Sequence, residues 1–522
     1  MPSADLILKN AKVITLSPER PTGEMVAISG GKILAVGNND DIRYFYGEST
    51  KTIDCAGKTV IPGFNDAHCH IFSMATSLSS IDISPWSVKS IDDIKKLIYN
   101  RVKILPPGKW ISATGYNDYH LAEKRHPDRW DIDEVAPDNP VVLSHRSLHS
   151  CVLNSRALSQ ANLTIKSPEP PGKVFERDAH SGELNGVLHE MLGYIRANVM
   201  PSLTEAEQIK SLADTSKHYL ANGITSVQDV SISNIPARWT VLKRLQDKGV
   251  FEVRTSLTAS LESLADFINS GFTPGYGDDR LRFGGLKIIL NEATGIMFPE
   301  QDDLNRYVLD AHKRGYRVHI HAVSADMVKS AVMAYEYAQN RYPNTSLRHR
   351  IEHCSECPPE LLERIKKLGL VIVSQPLFLY YSGDRYLDTL PPEIHPWLYR
   401  FRAFHDSGLQ TVASSDSPVV PDNPLVGIYA AVTRRTQNGR QINASECITA
   451  HQALEMYTIN AAYSSGEENI KGSLTPGKLA DIVVLDNNPV VVASEYIKDI
   501  KVEMTIVGGK VMWEQGNPKT RR

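Results

Sequence analysis

Apolar runs long enough for buried strands alternate with helical patterns through the middle of the chain. Segments with a helical spacing of apolar residues lie between most of these runs, for example at residues 204–222 and 301–314. Alternation of strand and helix is typical of βαβ units, and eight parallel strands close a barrel. The pattern therefore predicts an α/β fold built on a (β/α)₈ barrel. The eight runs are residues 60–68, 225–230, 253–259, 283–290, 318–321, 350–353, 371–376 and 411–416.

Both ends of the chain have the pattern of short strands joined by turns. Near the N-terminus, Gly30-Gly31 separates two strand-like runs, as a hairpin turn does. Near the C-terminus, residues 477–481 lead into the strand-like sequence IVVLD, and Gly508-Gly509 marks another turn. Because these β-rich pieces flank one long α/β region, we expect them to associate. The predicted domains are a small β-sandwich from residues 1–61 and 467–522 and a barrel from residues 62–466.

The gap between the first and second strand-like runs is too long for a single crossover connection. Residues from about 85 to 200 therefore form a predicted insertion, with strands of its own at residues 110–115 and 141–145. Long loops at the carboxyl end of a barrel strand often cover the active-site mouth. We expect the insertion to act as a lid that shapes the substrate site.

Composition excludes several classes of partner. The 522 residues have a formal net charge of −3, which gives no electrostatic reason to expect nucleic acid or an anionic membrane as partner. The chain lacks an apolar run of the ~18 residues that a membrane helix requires. Six cysteines over this length do not predict a disulfide framework. A cytoplasmic enzyme with a small-molecule substrate is the expectation.

Metal-binding residue types stand at the ends of four of the predicted barrel strands. His68 and His70 are two positions apart, so both side chains project from the same face of a strand. His321, His353 and Asp416 each end a different strand-like run. Neutral imidazoles and carboxylates suit Zn²⁺ or a similar divalent ion and would leave a position open for water. The spacing predicts a metal site at the carboxyl ends of the strands.

Two further residues in these runs have more than one interpretation. His319 lies on the same face as His321 and competes with it as a ligand, and the position of His321 nearer the strand end favours His321. Lys287 lies within the fourth run. From the residues alone, Lys287 is a buried lysine paired with a carboxylate, or a charge at the edge of a strand.

The motifs in combination resemble the amidohydrolase superfamily. The resemblance rests on PGFNDAHCH, Lys287, HAV at His321, RIEH at His353 and SSDSP at Asp416, together with the flanking segments IDCAGKTVIPGFNDAHCH and TPGKLADIVVLDNNP. The insertion, with its GYNDYHL and SLHSCVLNSRAL stretches, narrows the resemblance to the YtcJ-like (amidohydrolase 3) branch. It implies a distorted TIM barrel, a β-sandwich formed from both termini, and a centre with one or two metal ions. Dimerisation is common in that superfamily, so the resemblance also suggests a homodimer.

The resemblance also implies a role for each candidate ligand. The histidine pair of the first strand matches the ligands of the more buried ion. Lys287 matches a lysine that is carboxylated (N6-carboxylysine) in many members and then bridges two ions. His321 and His353 match the ligands of the second ion, and Asp416 matches the aspartate of the eighth strand. The chain departs from the family at Asn291-Glu292-Ala293 and at Ser324-Ala325, which affects the expected substrate pocket and not the ligands.

These roles predict hydrolysis of an amide-type C–N bond by a metal-activated water, with Asp416 as general base and then general acid. An N-substituted formamide is the specific expectation for the substrate. Other amides, cyclic imides and carbamates remain open, as do a metal-dependent lyase such as a decarboxylase and a non-catalytic scaffold. The predicted substrate contacts are His149, Gln375 and Tyr116, and Glu190 is a weaker candidate.

Overall fold

A computed structural model describes residues 3–292 and 295–517. Ala293, which belongs to one of the departures from the family pattern, lies outside these residues. The predicted fold class is confirmed, because eight parallel strands follow one another around a barrel in chain order. These strands are β1 (Phe64–Cys69), β2 (Ile224–Asp229), β3 (Arg254–Ser260), β4 (Leu281–Ile289), β5 (Val318–Ala322), β6 (Arg350–His353), β7 (Val371–Ser374) and β8 (Thr411–Ala413).

The barrel is nearly closed between its first and last strands. The backbone N–H of Asp416 donates to the carbonyl of His68 at 2.7 Å, and that of His70 donates to the carbonyl of Ser417 at 2.9 Å. Cys69 and Ser417 form a parallel bridge at the same place. This closure brings the end of β1 against the segment that follows β8, so the metal-capable residues of the two segments become neighbours.

The first barrel strand begins later than the sequence pattern predicted. Residues Thr59–Pro62 belong to a sheet of the sandwich, and the chain enters the barrel only after Gly63. A Cβ atom at Gly63 would overlap the side chain of Thr225 in β2. Glycine therefore lets the chain pass close to β2 as it leaves the sandwich. Both strands are completely buried and only Gly63 separates them, so the sequence pattern merged them into one run.

Helices cover the outside of the barrel, and the two that were predicted end within one residue of their expected bounds. Around the barrel they are Ile71–Ser79, Glu205–Ala221, Pro236–Asp247, Leu264–Asn269, Gln301–Lys313, Ala325–Arg341, Pro359–Leu368, Pro376–Thr389, Phe401–Asp406, Pro424–Thr433, Ala450–Met456 and Ile459–Ser465. No helix in the described ranges is both long enough and apolar enough to cross a membrane.

Strands from both termini form the predicted sandwich. One sheet has the order Lys32–Gly37, Met25–Ser29, Leu6–Lys9 and Lys51–Asp54. The other has the order Lys510–Glu514, Val502–Val507, Ile482–Leu485, Thr59–Pro62, Lys12–Ile14 and Thr22–Gly23. Arg254 of the barrel binds Asp481 of the sandwich through two bonds of 2.7 and 3.1 Å, and both side chains are buried. This ion pair fixes the barrel to the sandwich.

The insertion contains a six-stranded mixed sheet, where the sequence had indicated two strands. In sheet order the strands are Val174–Arg177, Leu184–His189, Ser150–Leu153, Val141–His145, Ile111–Tyr116 and Ile81–Asp82. Its helices are Ile91–Val102, Arg129–Asp133, Ser155–Gln160 and Leu192–Asn198. The insertion has two hydrophobic cores of its own, so it is a folded unit and not a simple loop.

The insertion contacts segments that follow two distant barrel strands. The guanidinium of Arg146 donates to the hydroxyl of Ser382 at 3.1 Å, and the ring centroids of Trp86 and Tyr381 are 5.4 Å apart in an edge-to-face arrangement. Ser382 and Tyr381 belong to the helix Pro376–Thr389, which follows β7. Gly172 approaches Phe298 in the segment after β4 so closely that a Cβ atom would lie 3.1 Å from the ring. The insertion therefore spans part of the carboxyl end of the barrel.

Candidate metal centre

Three of the predicted ligands come together where β1 meets the segment after β8. The Nε2 atom of His70 lies 2.9 Å from Oδ1 of Asp416, and Nε2 of His68 lies 3.4 Å from the same oxygen. One ligand atom from each of the three side chains lies within 4.8 Å of the others. His68 and Asp416 are buried and His70 is half-buried. This spacing is small enough for a single ion to contact all three.

The remaining two candidate histidines extend this group into one continuous cluster. The rings of His68 and His353 are 4.8 Å apart, and those of His353 and His321 are 4.4 Å apart. β1, β5 and β6 thus contribute imidazoles to one place, as the strand-end positions predicted. The structure brings the candidates together, and their role as ligands remains a prediction.

Backbone strain marks two members of the cluster. His353 has a φ of +75° and Asp416 a φ of +60°, in the left-handed region that residues with a side chain rarely adopt. Each such residue costs about 1–3 kcal/mol, and strain of this kind is concentrated at functional sites. Both residues stand where a barrel strand ends, so the unusual backbone turns the side chain as the chain leaves the barrel wall.

Glu352 fixes the orientation of His68 and is a site residue that the sequence reasoning missed. Its carboxylate accepts from Nδ1 of His68 at 2.6 Å, which leaves Nε2 of that ring for the centre of the cluster. Arg350 donates to the same carboxylate at 2.7 and 3.0 Å. Burial raises the pKa of Glu352, but Arg350 and the two histidines that it binds lower the pKa further, to well below its ordinary value. A carboxylate behind a histidine is the usual support of a metal ligand.

His319 also belongs to this support and does not face the cluster as a ligand would. Its Nδ1 atom lies 3.3 Å from Glu352, and its Nε2 atom lies 3.2 Å from the carbonyl oxygen of Gly284. Both ring nitrogens therefore lie close to groups of the barrel wall, and only Nε2 has a hydrogen bond among the described residues. The geometry agrees with the preference for His321 over His319.

Gln375 holds His353 and is not placed to contact a substrate. The side chain is completely buried, its Oε1 atom lies 2.8 Å from Nδ1 of His353, and its Nε2 atom donates to Ser414 at 2.9 Å. Both ends of the amide are occupied by protein groups. The sequence placed Gln375 on the correct rim of the barrel, but its predicted contact with substrate is corrected to a contact with a candidate ligand.

Lys287 is buried in β4 without a partner for its amino group. The side chain is 2% exposed, and Nζ has no hydrogen-bond partner in the described part of the chain. Burial lowers the pKa of Lys287 to about 8, although Glu352 and Asp416 favour its charged form. Pairing with a carboxylate, one of the two interpretations from the residues alone, is therefore not found among the described residues. An unpartnered amine of lowered pKa fits a lysine that reacts with CO₂ to form a carbamate.

The protonation states in the cluster suit a cation. Burial lowers the pKa of His68 to about 3 and that of His353 to about 4, and it holds the pKa of His321 well below its usual value. Burial raises the pKa of Asp416, but His68 and His70 lower it to well below its ordinary value. The imidazoles of His68, His321 and His353 are therefore neutral and the Asp416 carboxylate is ionised at neutral pH. These groups can bind a divalent metal without first releasing protons.

The insertion contributes His149 to the edge of the cluster. Its ring lies 5.5 Å from that of His321, and its Nδ1 atom lies 2.7 Å from a carboxylate oxygen of Glu190. The pair is created by the antiparallel pairing of Ser150 with His189, which makes His149 and Glu190 neighbours although they are 41 positions apart. The structure places His149 beside the cluster, and its predicted contact with substrate stays a prediction.

Tyr116 lies elsewhere, which corrects its prediction as a substrate contact. The ring is completely buried in a core of the insertion, and its hydroxyl lies 2.9 Å from Nδ1 of His126. Its position in the GYNDYHL stretch made it a candidate, but the alternation of the strand Ile111–Tyr116 turns the side chain inward. Packing within the insertion accounts for this residue.

Comparison with known proteins agrees with this arrangement. A model of the amidohydrolase family matches residues 51–513. An N-substituted formamide deformylase from Arthrobacter pascens is 30% identical, and the alignment covers 98% of this chain and 98% of that protein. The putative amidohydrolase YtcJ from Bacillus subtilis (strain 168) is 24% identical, over 96% of this chain and 98% of that protein.

A solved structure shows the same fold. The crystal structure of an uncharacterised metal-dependent hydrolase from Pyrococcus furiosus has a TM-score of 0.72 and 25% identity, covering 93% of this chain and 99% of that chain. The family match extends over all eight barrel strands and over the sandwich strands from Lys51 onward. The chain therefore belongs to the amidohydrolase family and is a hydrolase of carbon–nitrogen bonds, as its strand-end motifs predicted.

Proposed function

We propose that this chain is a zinc-dependent amidohydrolase that converts an N-substituted formamide and water into formate and a free amine. The observation that carries the proposal is the convergence of four imidazoles and the Asp416 carboxylate at one end of the barrel. The choice of substrate is supported by the relative that is 30% identical over nearly the whole chain and is named an N-substituted formamide deformylase.

The donor set supports one or two zinc ions. Imidazole and carboxylate ligands suit Zn²⁺. His68 and His70 with Asp416 would hold one ion, and His321 with His353 would hold a second. Lys287 would join these ligands as N6-carboxylysine, since burial lowers the pKa of its amine to about 8 and the deprotonated fraction can add to CO₂ with release of a proton. When bound, a divalent ion lowers the pKa of a water molecule to about 7 and polarises a carbonyl group.

Asp416 is the proposed proton carrier. Its ionised carboxylate accepts a proton from the water as the water oxygen attacks the formyl carbon. The same carboxyl group then donates that proton to the nitrogen as the C–N bond breaks. The water oxygen stays with the formyl carbon as formate, and the nitrogen leaves as the amine, so the atoms balance.

His149 is the proposed contact from the insertion to the substrate. Because Glu190 binds Nδ1 of this ring, Nε2 is the nitrogen that remains for a substrate polar group. The side chain is 37% exposed, which leaves it accessible from the mouth of the barrel. The insertion would in this way complete the site as well as cover it.

The proposal also includes a small-molecule partner and a reducing, cytoplasmic compartment. All six cysteines are free thiols, and five of them are buried. Disulfides are rare in compartments that keep thiols reduced. The cysteines therefore support this compartment.

Asp416→Asn tests the proposed chemistry. We expect this variant to keep its metal and to lose turnover of N-substituted formamides by about 10²–10⁴-fold, the usual contribution of a general acid–base group. Formate and amine should form in equal amounts with the wild-type protein. Wild-type turnover by a metal-replete Asn variant would contradict the role of Asp416, and release of CO₂ would indicate a lyase. Turnover of cyclic imides or carbamates without formamides would replace the substrate but keep the reaction class.

A further inference from the structure

A buried arginine without an anionic partner lies in the segment of the insertion that carries His149. Arg146 is the first residue after the strand Val141–His145 and is 7% exposed. Among the described residues, its side chain has one hydrogen bond, from Nη2 to the hydroxyl of Ser382 at 3.1 Å, and no carboxylate partner. A charged side chain is almost never buried unless it is paired. Arg146 therefore needs an explanation.

The other buried arginines of the described chain have the partners that Arg146 lacks. Arg254 and Arg350 each bind a buried carboxylate. The guanidinium of Arg434 donates to three backbone carbonyls at 2.6–2.9 Å. No nitrogen of Arg146 is among the completely enclosed atoms that lack a partner in the described residues, so its unbonded N–H groups reach solvent. These groups are free to bind a ligand.

The charge around this guanidinium favours an anion. Burial lowers the pKa of Arg146 to about 10, and the nearby cation of Arg385 lowers it further. Arg146 is still protonated at neutral pH. Arg385 follows Ser382 by three positions in the helix Pro376–Thr389, so both residues are on the face that meets the insertion. Two cations without a carboxylate between them create a positive potential, which attracts a negatively charged group.

The helix contact places this guanidinium near the candidate metal centre. The ring of Phe378 is stacked against that of His353, with centroids 6.4 Å apart and planes at 14°. Ser382 follows Phe378 by four positions in the same helix, so their Cβ atoms are about 5–6 Å apart on one face. The hydroxyl that Arg146 binds is thus one helical turn from a residue that contacts a candidate ligand.

The insertion approaches the same place from the other side. His149 follows Arg146 by three positions, so their Cα atoms are at most about 10 Å apart. The ring of His149 lies 5.5 Å from that of His321. Arg146 is therefore beside the mouth of the barrel, at a distance from the clustered imidazoles on the order of 10 Å.

The chemistry of a formamide decides which part of it can meet Arg146. The acyl side is a single hydrogen atom, so recognition beyond the reacting bond depends on the substituent at nitrogen. We infer that Arg146 binds a carboxylate on this substituent, and that the substrates are formamides of amino acids in which a chain of several atoms separates nitrogen from carboxylate. Guanidinium and carboxylate match as a planar pair with two parallel hydrogen bonds. The inference rests on the proposed function and names the substrate class within it.

Two substrates of equal length test the charge in the wild-type protein. They are 6-formamidohexanoate and 6-formamidohexanamide, which differ only in the carboxylate. We expect kcat/KM to be about 10–100-fold higher for the carboxylate, the effect of one hydrogen-bonded pair of charges. Equal kcat/KM values for the two substrates would overturn the inference without the use of any variant.

Two matched variants separate binding of substrate from support of the insertion. Arg196 is another arginine of the insertion, and it also donates from Nη2 to a serine hydroxyl, that of Ser144, at 3.1 Å. Arg146→Gln should lower kcat/KM for 6-formamidohexanoate about 10–100-fold and leave 6-formamidohexanamide nearly unchanged. Arg196→Gln should keep the preference for the carboxylate. Equal losses for both substrates in Arg146→Gln would show that Arg146 only holds the insertion to the barrel, and would overturn the inference.

Calorimetry with hexanoate distinguishes failure of this inference from failure of the proposed function. Hexanoate has a carboxylate and no amide bond, so its binding does not depend on formamide chemistry. Binding to the metal-loaded full chain that Arg146→Gln weakens about tenfold or more and Arg196→Gln keeps would support the carboxylate site even if no formamide is hydrolysed. In that case only the proposed function would fail. Absent binding, or equal binding to all three proteins as expected of a carboxylate held by the metal alone, would overturn the site.

Discussion

Substitution of Glu352 by Gln should weaken metal binding although Glu352 is not itself a candidate ligand. The change keeps the shape of the side chain and removes the charge that Nδ1 of His68 and the guanidinium of Arg350 bind at 2.6–3.0 Å. Hydrogen bonds to charged groups contribute about 1.5–3 kcal/mol each, against about 0.5–1.5 for neutral ones. The orientation of His68 is therefore less strongly fixed, and we expect a 10–100-fold loss of zinc affinity, about the size found for outer partners of metal ligands.

The same substitution should also lower the free energy of unfolding, because Arg350 is completely buried and loses its charged partner. Removal of one member of a buried ion pair costs about 3–5 kcal/mol. Zinc affinity would be measured by competition with a chelator, and stability by urea unfolding of the metal-free protein. Glu356→Gln is the matched control, since the Glu356 carboxylate accepts from the backbone of Ala325 at 3.1 Å and is not bonded to a histidine. Equal zinc affinity in the two variants would refute the reasoning.

Two further changes test the insertion and the entry into the barrel. Glu190→Gln should lower kcat/KM about tenfold with unchanged metal content, because His149 loses the charged partner of its Nδ1 atom. Steady-state kinetics and metal analysis would check this. A normal kcat/KM would show that His149 and Glu190 do not belong to the site. Gly63→Ala should destabilise the protein by about 1–3 kcal/mol, because the new Cβ overlaps Thr225. Gly193→Ala is its control, with no atom within 4 Å of the added Cβ, and equal urea midpoints for the two would contradict the steric argument.

The sequence predicted the cluster because parallel barrel strands bring their carboxyl ends together. A histidine at the end of one strand and an aspartate after another must then lie near each other, whatever their separation in the chain. His68, His353 and Asp416 are of this kind, and their side chains meet as expected. The alternation within β6 also placed Arg350 and Glu352 on one face, a signal that could have revealed the support of His68.

Other features depend on contacts that no local pattern contains. His149 and Glu190 are neighbours because of the register between two strands of the insertion. Gln375 and Tyr116 were assigned from their place along the chain, but hydrogen bonding and packing turn both side chains into the protein. The predicted run 60–68 merged the end of a sandwich strand with β1, because both strands are completely buried and only Gly63 separates them.

The central claim is that side chains from separate strands hold divalent cations at the carboxyl end of the barrel. Metal analysis of the purified full chain tests it most directly. The comparison is a variant in which His68 and His70 are both replaced by alanine, and circular dichroism would check that this variant is folded. We predict one or two zinc ions per wild-type chain. The folded variant should hold at least one zinc ion fewer per chain than the wild type. Equal metal content in both proteins, or full amidohydrolase activity in metal-free protein, would contradict the claim.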